Sequence, residues 1–153
     1  MTEFEPEDFL VSHRRREGRV PLLVLLVLLA RAKARDWKTD EPIFPVDPEE
    51  PVDFHHIYPR KLVGEHEWSN SVANITVLFS ASNRSIAQCT VREVFHDSTD
   101  AETLAYLREH MVPVDMEEIL WKVGYKKYFQ EVIEARAELL AEKANELMES
   151  LGS

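Results

Sequence analysis

Asp53-Phe54-His55-His56-Ile57-Tyr58-Pro59 sets two imidazoles side by side in a run rich in aromatic and β-branched residues, the composition of a strand, and Pro59 ends that run. A second run of the same kind, Asn74-Ile75-Thr76-Val77-Leu78-Phe79, is bounded by Ser80-Ala81-Ser82. Ser80 and Ser82 are both N-cap residue types, so a helix is expected whose first turn holds Asn83, nine positions after Asn74. The order is strand, loop, strand, helix. A neutral imidazole accepts a proton near pH 7, its ordinary pKa being about 6.5, and imidazole is also a common metal ligand. The segment thus places a candidate metal ligand beside a candidate general base.

Each residue alone has a plainer reading. A His-His pair in a strand is usually one buried and one exposed residue, and Asn beside Ser is usually a turn or a cap. In this order, followed by Pro59 and with this Asn-to-Asn spacing, the set resembles the His-Asn-His/Asn signature of the HNH, or ββα-metal, endonucleases. The resemblance implies that His56 is the general base and that His55 and Asn83 hold a divalent cation. It also implies that Asn74 serves catalysis structurally, its amide fixing the loop after the first strand. Such a site hydrolyses a phosphodiester, which requires a water to be deprotonated and charge on the phosphate and leaving oxygen to be stabilised. One imidazole and one carboxamide make a neutral, sparse ligand set with positions left for water and phosphate oxygens. Mg²⁺ is therefore the expected working ion, with Mn²⁺ able to substitute. Two departures stand out: His55 occupies a position where many HNH enzymes have Asp, which makes Asp53 a secondary metal candidate. The Lys that often follows the last Asn is replaced by Arg84, which joins Arg60 and Lys61 as candidate phosphate contacts.

The resemblance extends over roughly residues 20 to 150. The stretches Ala32-Lys33-Ala34-Arg35-Asp36-Trp37, Asn70-Ser71-Val72-Ala73-Asn74, Glu109-His110-Met111-Val112-Pro113 and Glu134-Ala135-Arg136 look like the HNH-type C-terminal domain of GmrSD-like modification-dependent restriction enzymes. The implied fold class is α+β, a mostly helical domain carrying a small ββα-metal finger at about 53–95 and a C-terminal helical scaffold at 98–149. Residues 1–19 read as a tail or linker. The implied function is DNA cleavage or nicking in a restriction or phage-defence system. In that family an N-terminal ParB-like domain supplies nucleotide hydrolysis and base sensing. With four Gly in all and no Gly-rich phosphate loop, this chain has no counterpart of that domain, which makes a separate or N-terminal NTP-hydrolysing sensor an expected partner alongside DNA.

Composition fits one domain: 153 residues, 44% hydrophobic, with no repeat and no low-complexity segment. The single cysteine, Cys89, excludes an intrachain disulfide and a multi-cysteine zinc site, agrees with a reducing cytoplasm, and reads as a packed thiol. The apolar run Leu22 to Ala30 is far short of the roughly 20 residues of a membrane span and reads as a buried core helix with Pro21 in its first turn. After it, Thr99 with Glu102 and Asp115 with Glu118 have capping-box spacing. A long amphipathic helix follows Gly124, with Tyr128, Val132, Leu139, Leu140 and Leu147 inward and Glu131, Glu134, Glu138, Glu142 and Glu149 outward. That helix docks on the core or pairs with a second copy, so monomer and dimer are both open.

Charge is the objection to nucleic-acid binding: 18 Lys and Arg stand against 28 Asp and Glu, a net charge of −10. Residues 54–95 are the least acidic part, with cations Arg60, Lys61, Arg84 and Arg92 against Glu65, Glu67 and Glu93. Weak intrinsic DNA affinity, supplemented by a partner domain, is the corresponding expectation. Two other classes stay open: a non-catalytic nucleic-acid-binding or regulatory module with a degenerate finger, and a helical interaction domain in which the His-Asn pattern is accidental.

Overall fold

Leucines at helical spacing, with proline tolerated in the first turn, make Arg19–Arg31 a helix, α1. The computed structural model describes residues 3–114, 122–123 and 125–152. After α1 come β1 (Val52–His56), α2 (Arg60–Val63), β2 (Ile75–Phe79), α3 (Ser80–Ile86), α4 (Val91–Val94), α5 (Ala101–Glu109) and α6 (Phe129–Gly152). Short 3₁₀ turns lie at Pro6–Phe9, Arg16–Gly18, Val72–Asn74 and Lys126–Tyr128. The described residues thus form an α+β structure, mostly helical, with one antiparallel pair of strands.

β1 and β2 pair with His56 opposite Ile75 and His55 opposite Thr76. All five residues of β2 are buried, so both faces of that strand are covered. α6 packs on α1, on the Pro6–Phe9 turn and on the Val72–Asn74 turn. Leu25, Leu29, Ile57, Tyr58, Ile75, Leu78, Ile133 and Leu140 form the fully buried centre. The five glutamates expected on the wet side of α6 are all exposed. Among the described residues no helix is long and apolar enough to cross a membrane.

Several local expectations change. Residues 3–18, expected as a tail or linker, pack against the domain: Phe9 is fully buried, and the Phe4 N–H and C=O are both bonded by the Asn145 carboxamide on α6. α1 is buried on one face only, at Leu25, Leu28 and Leu29. Val20 and Leu23 are each 60% exposed, because nothing in the described fold lies over that side. The cap of α5 is Asp100, whose carboxylate accepts from the Thr103 N–H at 2.8 Å, and not Thr99. Neither Ser80 nor Ser82 caps α3; Ser82 is drawn to a buried carboxylate instead. The Asp115 and Glu118 pair lies outside the described residues. Cys89 is half-buried against the core.

Arg136 is the charged residue at the centre of the molecule. Fully buried on α6, it donates through Nη1 to the carbonyls of Val72 (3.3 Å), Ala73 (2.9 Å) and Ile75 (2.8 Å), and through Nη2 to that of His110 (2.9 Å). Burial pushes its pKa down to about 9, still cationic at neutral pH. It therefore grips the backbone on both sides of Asn74. The distant stretches around Arg35 and Glu109 also meet, in a two-point guanidinium–carboxylate pair with contacts of 2.7 to 3.1 Å.

Candidate metal and proton-transfer site

β1 ends at His56 because Asn74 takes over the backbone that follows. The Asn74 Oδ1 accepts from the Tyr58 N–H at 2.9 Å, and its Nδ2 donates to the carbonyls of Tyr58 (3.1 Å) and Ser69 (2.8 Å). Fully buried, Asn74 thus clasps both ends of the loop between the strands. Three buried backbone atoms would need partners elsewhere without it.

Adjacent residues of a strand point to opposite faces, so His55 and His56 enter different surroundings. His55 is 1% exposed and faces α3, where its Nδ1 lies 2.9 Å from the Asn83 Oδ1. Two ligands in adjacent positions of an octahedral ion, each about 2.1 Å from it, are separated by roughly 3.0 Å. As it stands the contact is a hydrogen bond donated by Nδ1–H to the carboxamide oxygen; the same separation would let the two atoms share a divalent cation once the ring proton moved to Nε2. The other ring nitrogen, Nε2, is buried without a hydrogen-bond partner. Leaving that atom unpaired costs about 1–3 kcal/mol, a cost that a cation at Nδ1 would not relieve. Burial pushes the His55 pKa down to about 4, against the opposing effect of the Asn83 bond, so the ring is neutral and able to ligate at pH 7.

The position of Asn83 is fixed from below. Asp36, fully buried, accepts from the Phe79 N–H at 2.9 Å and from the Ser82 hydroxyl at 2.6 Å, and also from the N–H groups of Lys38 and Thr39 at 3.0 Å each. It ties the end of β2 and the residue before Asn83 to the segment after α1. The Trp37 indole stands edge-on to His55, with ring centroids 5.5 Å apart, and borders His110 at 5.2 Å. His110, buried, bonds the Thr76 hydroxyl at 2.6 Å and the Arg35 carbonyl at 2.8 Å. These contacts make the His55 side of β1 rigid.

His56 faces the other way and is half-buried. Its Nε2 lies 2.9 Å from the Asn70 Oδ1; if Nε2 carries the proton and donates it there, Nδ1 keeps a free lone pair. Burial lowers its pKa, the Asn70 bond works in the opposite direction, and the charges of Arg60 and Arg14 add to the lowering. The ring is therefore neutral near pH 7, the state a general base requires. His13 approaches the same ring, with centroids 6.3 Å apart.

The remaining sequence candidates are dispersed. Asp53 is exposed beside Phe44 and Val46, two residues along the strand from His55. Arg60 and Lys61 open α2, and Arg84 follows Asn83 on α3; all three are exposed and make no ion pair among the described residues. Sequence reasoning missed Asn70, Asp36 and His13 as parts of the site. Asn70 carries a usable signal, since a carboxamide four positions before Asn74 must lie at the other end of the same loop. The chain matches no family model, and comparison with curated proteins and with solved structures returns no significant match.

Proposed function

We propose that this chain is a metal-dependent endonuclease of the HNH type, in which β1, β2 and α3 form the ββα-metal finger and DNA is the substrate. The observation that carries the reading is the 2.9 Å approach of the His55 Nδ1 and the Asn83 Oδ1, next to an imidazole held by a different carboxamide. His55 and Asn83 hold Mg²⁺, or Mn²⁺ in its place; the ion supplies Lewis-acid stabilisation of the phosphate and the leaving oxygen. His56, oriented by Asn70, takes the proton of the attacking water at its free ring nitrogen. Asn74 keeps the loop carrying Asn70 closed against β1, and Arg136 holds the backbone on which Asn74 sits. Arg60, Lys61 and Arg84, all exposed, are the phosphate contacts of this reading. In the cell this reading corresponds to the cutting domain of a cytoplasmic restriction or phage-defence system, working with an NTP-hydrolysing sensor.

The test is incubation of purified protein with supercoiled plasmid and Mg²⁺ or Mn²⁺. One such site cuts one strand, so nicked circle is the expected first product and His56→Ala abolishes it. No nicking by folded protein with either ion would overturn the reading. The second reading, a non-catalytic module that positions nucleic acid for a partner, draws on the sparse donor set of one imidazole and one carboxamide; the net charge of −10 counts against DNA affinity in both readings. That reading predicts binding of DNA without nicking.

A further inference from the structure

Three consecutive arginines, Arg14-Arg15-Arg16, are all exposed, and none makes an ion pair among the described residues. Their backbone is not free. Ser12 and Ser71 form an antiparallel bridge, the His13 N–H donates to the Asn70 carbonyl at 2.9 Å, and the Val72 N–H donates to the Val11 carbonyl at 3.1 Å. The turn closes on itself where the Arg15 N–H meets the Ser12 carbonyl and the Gly18 N–H meets the Arg15 carbonyl, each at 3.1 Å. Gly18 is required there: a Cβ on it would lie 2.2 Å from the Ser12 carbonyl oxygen. The fold therefore spends a buried glycine and two long-range backbone bonds on presenting an arginine-tipped turn.

The anchor of that turn is Asn70, the residue whose side chain meets His56. Arg14 is close enough to act electrostatically on both His13 and His56. In a chain of net charge −10, these cations, with Arg60, which also acts electrostatically on that imidazole, form a local exception beside the candidate base.

We propose that the turn Ser12–Gly18 is a phosphate clamp that holds the sugar-phosphate backbone of nucleic acid through Arg14, Arg15 and Arg16 beside His56. This rests on the nuclease reading for its position and adds the surface that supplies affinity. Guanidinium groups suit it because they bond phosphate oxygens in pairs and stay charged at any working pH. Contacts of this kind carry no base information, so the clamp tracks backbone irrespective of sequence.

The test is fluorescence anisotropy with a labelled DNA duplex of about 30 base pairs across a salt series. It uses His56→Ala protein so that no cleavage occurs, with and without Arg14→Gln/Arg15→Gln/Arg16→Gln. The charge-matched control is Arg31→Gln/Lys33→Gln/Lys143→Gln, whose first two positions are the last residue of α1 and a residue just beyond it. Unchanged melting curves establish that all forms are folded. The clamp predicts affinity lower by on the order of tenfold at low salt and a plot of log K against log salt shallower by about 2 to 3, with the control within about twofold. No binding by the parent protein, an unchanged slope, or an equal loss in the control would overturn it. A clamp-dependent slope in a protein that nicks no plasmid would sustain this inference while sinking the nuclease reading. Nicking with full affinity in the triple variant would do the reverse.

Discussion

His55 and His56 are neighbours in the chain, yet they are held by different kinds of structure. The His55 side of β1 is packed: Asp36, Trp37, Thr76 and His110 surround the pair with Asn83, all buried and drawn from α1 onward. The His56 side is assembled at the surface from the loop between the strands and from the N-terminal segment, through Asn70 and His13. A cation site requires fixed donors at fixed separation, which core packing supplies. A base must meet water and substrate, which only a half-open setting allows. In the proposed reading, strand alternation lets one dipeptide serve both needs.

The sharpest way to break the comparison is to exchange the roles. His56→Ala is expected to lower nicking by on the order of 10²- to 10⁴-fold with Mn²⁺ affinity nearly unchanged, because a base contributes to the rate and not to metal binding. His55→Ala is expected to weaken Mn²⁺ binding, with part of the activity regained at excess metal. Calorimetric Mn²⁺ titration beside the nicking assay reads both. Metal rescue of His56→Ala would reverse the assignment.

Asn74 joins the two sides, and its removal should damage both. Asn74→Ala leaves Tyr58 and Ser69 polar groups unpaired in the core, so a loss of roughly 2–4 kcal/mol, or about 5–15 °C in melting temperature, is expected together with a strong loss of nicking. Thermal melting and nicking on one sample separate the effects. Protein that melts as the parent does yet fails to cut would show that the clasp is not what stabilises the loop.

How much of this was legible follows from how local each signal is. The approach of His55 to Asn83 and the place of Asn74 lie within one strand–loop–strand–helix unit, and it was the resemblance of that unit to the HNH signature, more than its spacing, that paired these residues. The helical scaffold was legible in its glutamate face, while its caps were not, because Asp100 and Thr99 are both good capping types and tertiary packing chose between them. Asp36, Arg136 and the arginine turn were invisible as parts of the site. Each reaches it through contacts between segments far apart in sequence, and no period or motif records such a contact. Phe9 is the instructive case: one aromatic in a charged N-terminal stretch turned an expected linker into part of the core.

A smaller effect is expected at Asn70, whose carboxamide oxygen meets the His56 Nε2 and in the proposed mechanism serves to orient that ring. Asn70→Ala should lower nicking by roughly tenfold, with metal affinity unchanged, through loss of ring orientation. Asn70→Asp keeps an oxygen acceptor and should recover most of that loss. It should also move the acid limb of the pH–rate profile upward, since a carboxylate favours the imidazolium. In the parent protein burial lowers the His56 pKa, which places the limb below pH 6.5: activity is full above it and falls as pH drops and the ring is protonated. An Asn70→Asp profile that coincides with the parent's would mean that the 2.9 Å contact does not bear on the base.

The smallest effect should come from Asp53, and it bounds the metal side of the comparison. Asp53 stands in the same strand as His55 but in another setting: it is exposed beside Leu26, Phe44 and Val46, whereas His55 is enclosed with Asn83. An exposed carboxylate two residues away loses most of its influence on the ion to solvent screening. Asp53→Asn should therefore keep nicking within about threefold and leave the Mn²⁺ dissociation constant within about the same factor. If the change weakened Mn²⁺ binding tenfold or more, the carboxylate would have to reach the ion once substrate and metal are present. The cation would then lie across the open end of β1 and not in the enclosed space between His55 and Asn83, and the division of β1 into a packed metal side and an open base side would fail.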